Sequence, residues 1–189
     1  MRTITVLLTK YSDWISNLVY HIGGRGYTHA SLALGEDENT YYSFNYHGFC
    51  VETLEKHRHR GVEKSLSYQL RISDEAYDNI KECIEQMKIH RSEFQYTRIG
   101  VLFCILRIPF KWNHHYFCSQ FVAEIMMDSG AVKLKKKPQL YLPNDLGFEL
   151  EQNKYLLMGK TQKDLRVYDS IFQNKINGSG ERRETGIPH

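Results

Sequence analysis

Cys118 is the residue whose position in the sequence best suits chemistry. From Cys118 onward the apolar residues Phe121, Val122, Ile125 and Met126 recur at helical spacing, which predicts an amphipathic helix that begins at the cysteine. The first N–H groups of a helix are unpaired and carry a partial positive charge. A thiol beside them is shifted toward the thiolate, so Cys118 is predicted to be a nucleophile.

A thiolate nucleophile needs a histidine close to it in space, and His29 is the best-placed candidate. It follows a glycine-rich stretch at 23–26 and lies between the small polar residues Thr28 and Ser31, which leaves its ring room to face a cleft. The structural alternative is that His29 is an ordinary hydrogen-bonded group on a strand. We expect instead that His29 and Cys118 meet in the folded protein.

A third group is expected to orient His29 through a hydrogen bond to its second ring nitrogen. Ser43 and Asn45 lie on one face of the strand that is predicted to pair with the strand of His29. Glu52, one strand later, is the only carboxylate in an apolar strand context. The residues alone leave the choice among these three open. Because no carboxylate occupies an obvious hairpin position, we expect a neutral group, Ser43 or Asn45.

The surroundings of the nucleophile are predicted from neighbouring residues. Tyr27 and Tyr116 each lie within two residues of a catalytic candidate, so both are expected to line a substrate cleft. The backbone N–H groups of Cys118 and Ser119, at the start of the helix, are expected to stabilise an oxyanion.

No cofactor and no metal site are predicted. The other three cysteines are interpreted as small buried residues, and none forms a CxxC pair; they are Cys50, Cys83 and Cys104. Two histidine pairs could each supply metal ligands, but neither has partners at zinc spacing; they are His57 with His59 and His114 with His115. The net charge of +3 is mildly basic, and the basic clusters at 56–60 and 133–137 are interpreted as solvated faces, so no nucleic-acid partner is expected.

The elements that must hold these residues follow from hydrophobic periodicity and capping signals. A helix is followed by a cluster of strands and then by more helices, which predicts an α+β fold with an antiparallel sheet packed against helices. Strands are predicted at 4–9, 27–34, 40–46, 49–54 and 66–72, with late strands around 156–157 and 165–167. Helices are predicted from 14 to 22, after a Ser73 cap, from Cys118 to a glycine C-cap at Gly130, and from Pro143. The charged stretch 55–62 is predicted to be a surface loop.

One domain, over residues 1–172, is predicted, followed by a Gly-, Ser- and charge-rich tail at 173–189. The apolar run at the N-terminus is too short for a signal peptide and is interpreted as a strand, so a cytoplasmic location with reduced thiols is expected. The run at 99–110 is too short to span a bilayer. It is interpreted as a buried core helix, with an interfacial membrane segment as the alternative.

Three strings carry a resemblance to a known family: "SDWISNLVYHIGGRGYTHASLAL", then "YFCSQFVAEIM" about ninety residues later, then "LPNDL". Together they resemble the circularly permuted branch of the papain-like, NlpC-type cysteine hydrolases. That branch includes permuted cell-wall-amidase-like proteins and relatives of lecithin retinol acyltransferase. Its members carry a histidine on an early strand and a cysteine later, at a helix start, and those positions correspond to His29 and Cys118. The resemblance covers about residues 4–150.

The resemblance implies a permuted papain-like fold and a cysteine hydrolase that works through an acyl-enzyme. The substrate would be a small-molecule, peptide or lipid-like acyl compound, either an amide or a thioester or lipid ester. Two positions depart from the family: Gln120 stands where relatives often have glutamate, and Ser43 where many carry glutamate or a second histidine. Without a charged third residue, the alternative function is a weakly active or inactive binding or regulatory domain on the same fold.

Overall fold

The computed structural model describes residues 1–11, 14–22, 26–35, 39–153 and 157–164. Six strands form one antiparallel sheet in the order β4-β3-β2-β1-β5-β8. Their bounds are Arg2–Thr9 (β1), His29–Leu34 (β2), Tyr41–Asn45 (β3), Gly48–Glu52 (β4), Lys64–Ile72 (β5) and Leu157–Asp164 (β8). Two short parallel strands pair beside the sheet, Gln95–Tyr96 (β6) and His115–Tyr116 (β7).

Six helices accompany the strands in the described residues. They are Trp14–Ile22 (α1), Leu54–His59 (α2), Asp74–Ile89 (α3), Arg98–Ile105 (α4), Cys118–Asp128 (α5) and Pro143–Gln152 (α6). Short 3-10 turns occur at Arg91–Glu93 and Pro138–Leu140. Capping side chains define several helix starts: the hydroxyl groups of Thr53, Ser73 and Thr97 each accept a hydrogen bond from a backbone N–H of the first turn.

The main core lies between one face of the sheet and the helices α3 and α5. Alternate residues of the central strands point into it because side chains alternate across a strand, as Ile4, Val6 and Leu8 do on β1. The buried stripes of α3 and α5 close the layer, and Phe121 and Ile80 are among its fully buried members. The α+β class and the antiparallel sheet packed against helices are thereby confirmed.

The second face of the sheet carries a smaller buried cluster. Leu7, Ala33 and Tyr41 form it, and Leu54 at the start of α2 packs against it. The prediction of a surface loop at 55–62 was therefore wrong over most of its length: Thr53 caps a helix there, and one residue of that helix, His57, is fully buried. The dense positive charge at 56–60 concealed the one buried position within the helix.

The stretch at 96–110 forms a short helix followed by an extended segment. Only one face of α4 is buried, at Gly100, Val101 and Cys104, so α4 is not the wholly buried core helix that apolar composition suggested. Gly130 ends α5 with a positive φ of 78°, as the C-cap prediction required. The predicted tail at 173–189 and the strand signal at 165–167 lie outside the described residues. Within the described residues, no helix is long and apolar enough to cross a membrane.

The Ser73 cap offers a test of the fold. Its hydroxyl accepts the N–H of Ala76 at 3.1 Å. We expect Ser73→Ala to lower the free energy of unfolding by about 1 kcal/mol, because one N–H at the start of α3 loses its partner. Urea denaturation measures the change, and the exposed Ser92→Ala is the matched control. Equal unfolding midpoints for the two variants would contradict the assigned cap.

Candidate active site

Cys118 is the first residue of α5 and is only 8% exposed. The chain arrives in an extended conformation at Phe117, and the first helical hydrogen bond runs from the N–H of Phe121 to the carbonyl of Phe117 at 3.0 Å. The N–H groups of Cys118, Ser119 and Gln120 precede that bond, so they belong to the first turn and have no carbonyl partner within the helix. The thiol therefore lies where the positive end of the helix acts on it.

His29 is the first residue of β2, where it pairs with Thr9 at the end of β1. The helix α5 packs across β2 and β3, which brings Cys118 to this end of the strands. The imidazole and the thiol lie close enough together for charge and hydrogen bonding between them to shift the pKa of each. The structure thus brings together the two residues that the sequence singled out from positions about ninety residues apart.

Glu52 is the third member of the group. It is the last residue of β4, its side chain is 2% exposed, and its Oε2 lies 2.7 Å from the Nε2 of His29. Because Nε2 is engaged with the carboxylate, Nδ1 is the ring nitrogen that remains for Cys118. Glu52 therefore takes the orienting position expected from the chemistry of the pair.

The candidates Ser43 and Asn45 do not take that position. The Ser43 hydroxyl is fully buried and donates to the carbonyl of Ala30 at 2.6 Å. The side-chain oxygen of Asn45 accepts the N–H of His47 at 2.9 Å within the hairpin turn. Both side chains are thus engaged with backbone groups, and the expectation of a neutral orienting group is corrected to the carboxylate of Glu52.

The ionisation of the group follows from its contacts. Burial alone lowers the pKa of His29, but the charges of Glu52 and Cys118 outweigh burial and raise that pKa to about 10. Burial raises the pKa of Glu52, and the opposing influence of His29, His57 and Arg60 brings it down to about 2. At neutral pH the histidine is an imidazolium and Glu52 is a carboxylate.

The pKa of the Cys118 thiol is lowered, which favours its nucleophilic form, the thiolate. Burial raises its pKa, but the charge and hydrogen bond of His29 outweigh burial, and so do hydrogen bonds from the backbone N–H groups of Ala30 and Ser119. The net pKa lies below the usual value. In contrast, burial raises the pKa of the thiols of Cys50, Cys83 and Cys104.

Glu52 also contacts residues that follow it along the chain. Its Oε1 pairs with the Arg60 guanidinium at 3.2 Å, and its Oε2 lies 3.7 Å from the Nε2 of His57. The Nδ1 of His57 lies 2.5 Å from the hydroxyl of Tyr11. Burial lowers the pKa of His57 to about 4, so this second histidine is neutral. Tyr11 then donates its hydroxyl hydrogen to Nδ1.

A cavity of about 390 Å³ opens beside the three residues. Cys118, His29 and Glu52 lie on a polar part of its wall, together with Tyr11, Thr28, Asn45 and Arg60. Another part of the wall is apolar and is formed by Val19, Phe44, Val101, Phe117 and Leu142. Ser119 also lines the cavity, while its hydroxyl donates to the carbonyl of Tyr141 at 2.7 Å.

Tyr27 and Tyr116 are not among the described residues that line this cavity. The backbone N–H of Tyr27 donates to Asn144, and the hydroxyl of Tyr116 lies 3.5 Å from Glu124 in a separate groove beside α3. The prediction that both line the substrate cleft is therefore not supported. Adjacency in sequence misled it, because Tyr27 precedes β2 and Tyr116 precedes α5, so neither belongs to the element that orients its catalytic neighbour.

Sequence reasoning missed the group around Glu52: Tyr11, His57 and Arg60. One signal was present, since Glu52 is a lone carboxylate among apolar strand residues. The histidine had no such signal, because it sits within five basic residues at 56–60. Among the described residues, no three His, Cys, Asp or Glu side chains are arranged to hold a metal ion.

Comparisons with known proteins do not assign the chain to a family. No model of a known protein family matches the chain. A search of curated proteins likewise finds no significant match.

The lowered pKa of the Cys118 thiol gives a prediction for alkylation by iodoacetamide. We expect Cys118 to react faster than Cys83 at pH 7, because only the Cys118 pKa is lowered. In His29→Ala the pH profile of Cys118 alkylation should move to higher pH, because the imidazolium is removed. Site-resolved mass spectrometry measures both rates. Equal rates at Cys118 and Cys83, unchanged in the variant, would refute the activated thiol.

The carboxylate gives a prediction for stability against pH. The pKa of folded Glu52, about 2, is below the usual 4.5, so its stabilising contribution is present above about pH 4.5 and is lost as pH falls toward 2. Glu52→Gln should lack this loss over the same interval. Urea unfolding at several pH values measures the slope, with the exposed Glu82→Gln as control. If the free energy of unfolding of Glu52→Gln falls with pH as steeply as that of the parent protein, the buried charge of Glu52 is contradicted.

Proposed function

We propose that this protein is a cysteine hydrolase that cleaves an acyl compound through an acyl-enzyme intermediate. The observation that carries the proposal is the chain of contacts from Cys118 through His29 to Glu52 at the wall of a cavity. Nucleophile, base and orienting carboxylate stand in the order that such chemistry needs.

In the first half-reaction the Cys118 thiolate attacks the carbonyl carbon of the substrate. A carbon–sulfur bond forms and the carbonyl oxygen becomes an oxyanion. The His29 imidazolium then gives its proton to the leaving amine, alcohol or thiol as the bond to the leaving group breaks. Glu52 stabilises the imidazolium before transfer and keeps the ring facing the sulfur, since it holds Nε2 at 2.7 Å.

In the second half-reaction neutral His29 takes a proton from water, and the resulting hydroxide attacks the thioester carbon. The carbon–sulfur bond breaks, the carboxylic acid product leaves and the thiolate is restored beside the imidazolium. Backbone N–H groups at the start of α5 are the donors for the oxyanion in both halves. Those of Cys118 and Ser119 lie in the first turn and have no carbonyl partner within the helix.

The composition of the cavity supports an acyl substrate with an apolar part. Val19, Val101 and Leu142 offer a surface for an acyl chain or an apolar side chain, whereas Arg60 and Asn45 lie on the polar wall. A small-molecule, peptide or lipid-like substrate is consistent with this division. Amides, thioesters and esters share the carbonyl chemistry, so the reaction class covers all three.

The resemblance to the permuted NlpC-type hydrolases supports the same proposal. A cysteine at the start of a helix that packs on an antiparallel sheet, with its histidine on the second strand, agrees with the order His then Cys that the permuted branch implies. We propose the permuted papain-like fold on this basis. The charge of Glu52 removes the observation that favoured a non-catalytic binding domain, namely a neutral third residue.

The proposal is tested by hydrolysis of three matched substrates that share one acyl group: an acyl thioester, an aryl ester and an anilide. We expect turnover of at least one, lowered about 10³-fold or more in Cys118→Ala and about 10²-fold in Glu52→Gln. Intact-mass analysis during turnover should show the acyl group on Cys118.

Cys83→Ala is the matched control, because it removes another thiol outside the cavity, and it should retain the parent rate. Turnover that survives Cys118→Ala would overturn the assignment of the nucleophile. Binding of acyl ligands without acylation of Cys118 would favour the non-catalytic binding domain.

A further inference from the structure

The outer side of α4 and the segment that follows it form an unusual surface. Five large apolar side chains between residues 99 and 112 are each about half exposed, and we call them the α4 surface: Ile99, Leu102, Leu106, Ile108 and Trp112. Single exposed apolar residues are normal in folded proteins. A concentration of this kind within fourteen residues indicates an interaction site.

The spacing makes the surface continuous along the helix. Ile99, Leu102 and Leu106 are three and four residues apart, so they share one side of α4. The opposite side is buried, and its Val101 lines the cavity beside Cys118. One short helix therefore separates the cavity from the α4 surface.

The charge around this surface is positive. From residue 94 to residue 123 the sequence has no aspartate or glutamate, and it has Arg98, Arg107 and Lys111. Arg107 and Lys136 share one carboxylate, that of Asp145, at 3.0 Å each. Lys111 pairs with Glu124 at 2.8 Å. Asp128 also acts on Lys111, so Arg98, Arg107, Lys111 and Lys136 stand against the three carboxylates of Asp145, Glu124 and Asp128, which leaves one positive charge in excess beside the exposed apolar side chains.

The edge of the surface is aromatic and basic. Trp112 stacks on His115 with ring centroids 3.8 Å apart, and Phe110 stacks on Phe103 at 4.8 Å, which folds the segment after α4 back on the helix. Apolar side chains flanked by tryptophan and cations suit the boundary between lipid headgroups and acyl chains. A protein partner would need acidic groups matched to these positions, whereas an anionic bilayer supplies them everywhere.

We propose that the α4 surface docks this protein on anionic lipid bilayers. The apolar side chains enter the headgroup boundary, and Arg98, Arg107 and Lys111 bind lipid phosphates. Docking in this way places the cavity wall formed by α4 next to the lipid surface. The proposal is independent of the proposed hydrolysis, because it concerns the opposite side of α4.

The experiment is vesicle co-sedimentation with phosphatidylcholine, with and without about 30% phosphatidylglycerol. We expect binding to the anionic vesicles that weakens as salt is raised from about 0.1 M to about 0.5 M. Leu102→Glu should weaken binding about tenfold or more, since it sets a like charge among the lipid phosphates. In a Trp14→Phe background Trp112 is the sole tryptophan, and its emission should shift to shorter wavelength on binding.

Ile89→Glu is the matched control, because Ile89 is exposed at the end of α3 outside the α4 surface. It should bind like the parent protein. The same binding by Cys118→Ala separates docking from hydrolysis, so failure of one proposal leaves the other testable. Absence of binding to anionic vesicles, or equal binding by Leu102→Glu, would overturn the docking proposal. Self-association that Leu102→Glu abolishes, without vesicle binding, would assign the surface to a second copy instead.

Discussion

The buried charge of Glu52 is the constraint on which the candidate site depends. An isolated carboxylate removed from water costs several kcal/mol, so a side chain that is 2% exposed must have cationic partners. His29 and Arg60 supply them, one at each carboxylate oxygen. Because the His29 ring is held as a cation by Glu52, its other side favours an anion, and the pKa of the Cys118 thiol that lies there is lowered. The charges alternate from Arg60 to Glu52 to His29, each one favours the next, and the cation of His29 lowers the pKa of the Cys118 thiol.

Local chain geometry brings most of these partners to Glu52. The carboxylate ends β4, Thr53 caps α2, and His57 and Arg60 follow five and eight residues after Glu52. The short helix α2 and the residue after it therefore contact the end of β4, the strand that precedes them in the sequence. His29 and Cys118 come from distant parts of the sequence, and the sheet positions them: β2 carries the histidine, and α5 packs across β2 and β3 with its first residue at the strand end. The site thus combines a local charged turn with one long-range contact between helix and strand.

The sequence allowed the long-range pair to be predicted better than the local partners. Cys118 and His29 each had a local signal, a helix start and a small-residue strand after a glycine-rich loop. Glu52 was noticed as a lone carboxylate, but choosing it over Ser43 and Asn45 required the hydrogen-bond partners of all three, and periodicity does not give those. The surface loop predicted at 55–62 was wrong because the dense charge of this stretch concealed the buried His57 of α2. The sheet and the main helices were predictable because their apolar periods are regular, as on β5 and α3.

Two histidines approach one carboxylate, and only one of them is an imidazolium at neutral pH. Their ring centroids are 6.0 Å apart, so two imidazolium ions would repel each other in a buried setting. His29 carries the positive charge, because its Nε2 is 2.7 Å from Oε2 of Glu52 and the thiol of Cys118 lies on its other side, whereas the Nε2 of His57 is 3.7 Å from the same oxygen. With His57 neutral, its Nε2 carries the hydrogen that faces Glu52 and its Nδ1 accepts from Tyr11. The mobile proton is thereby confined to His29, the histidine that faces the sulfur and the cavity.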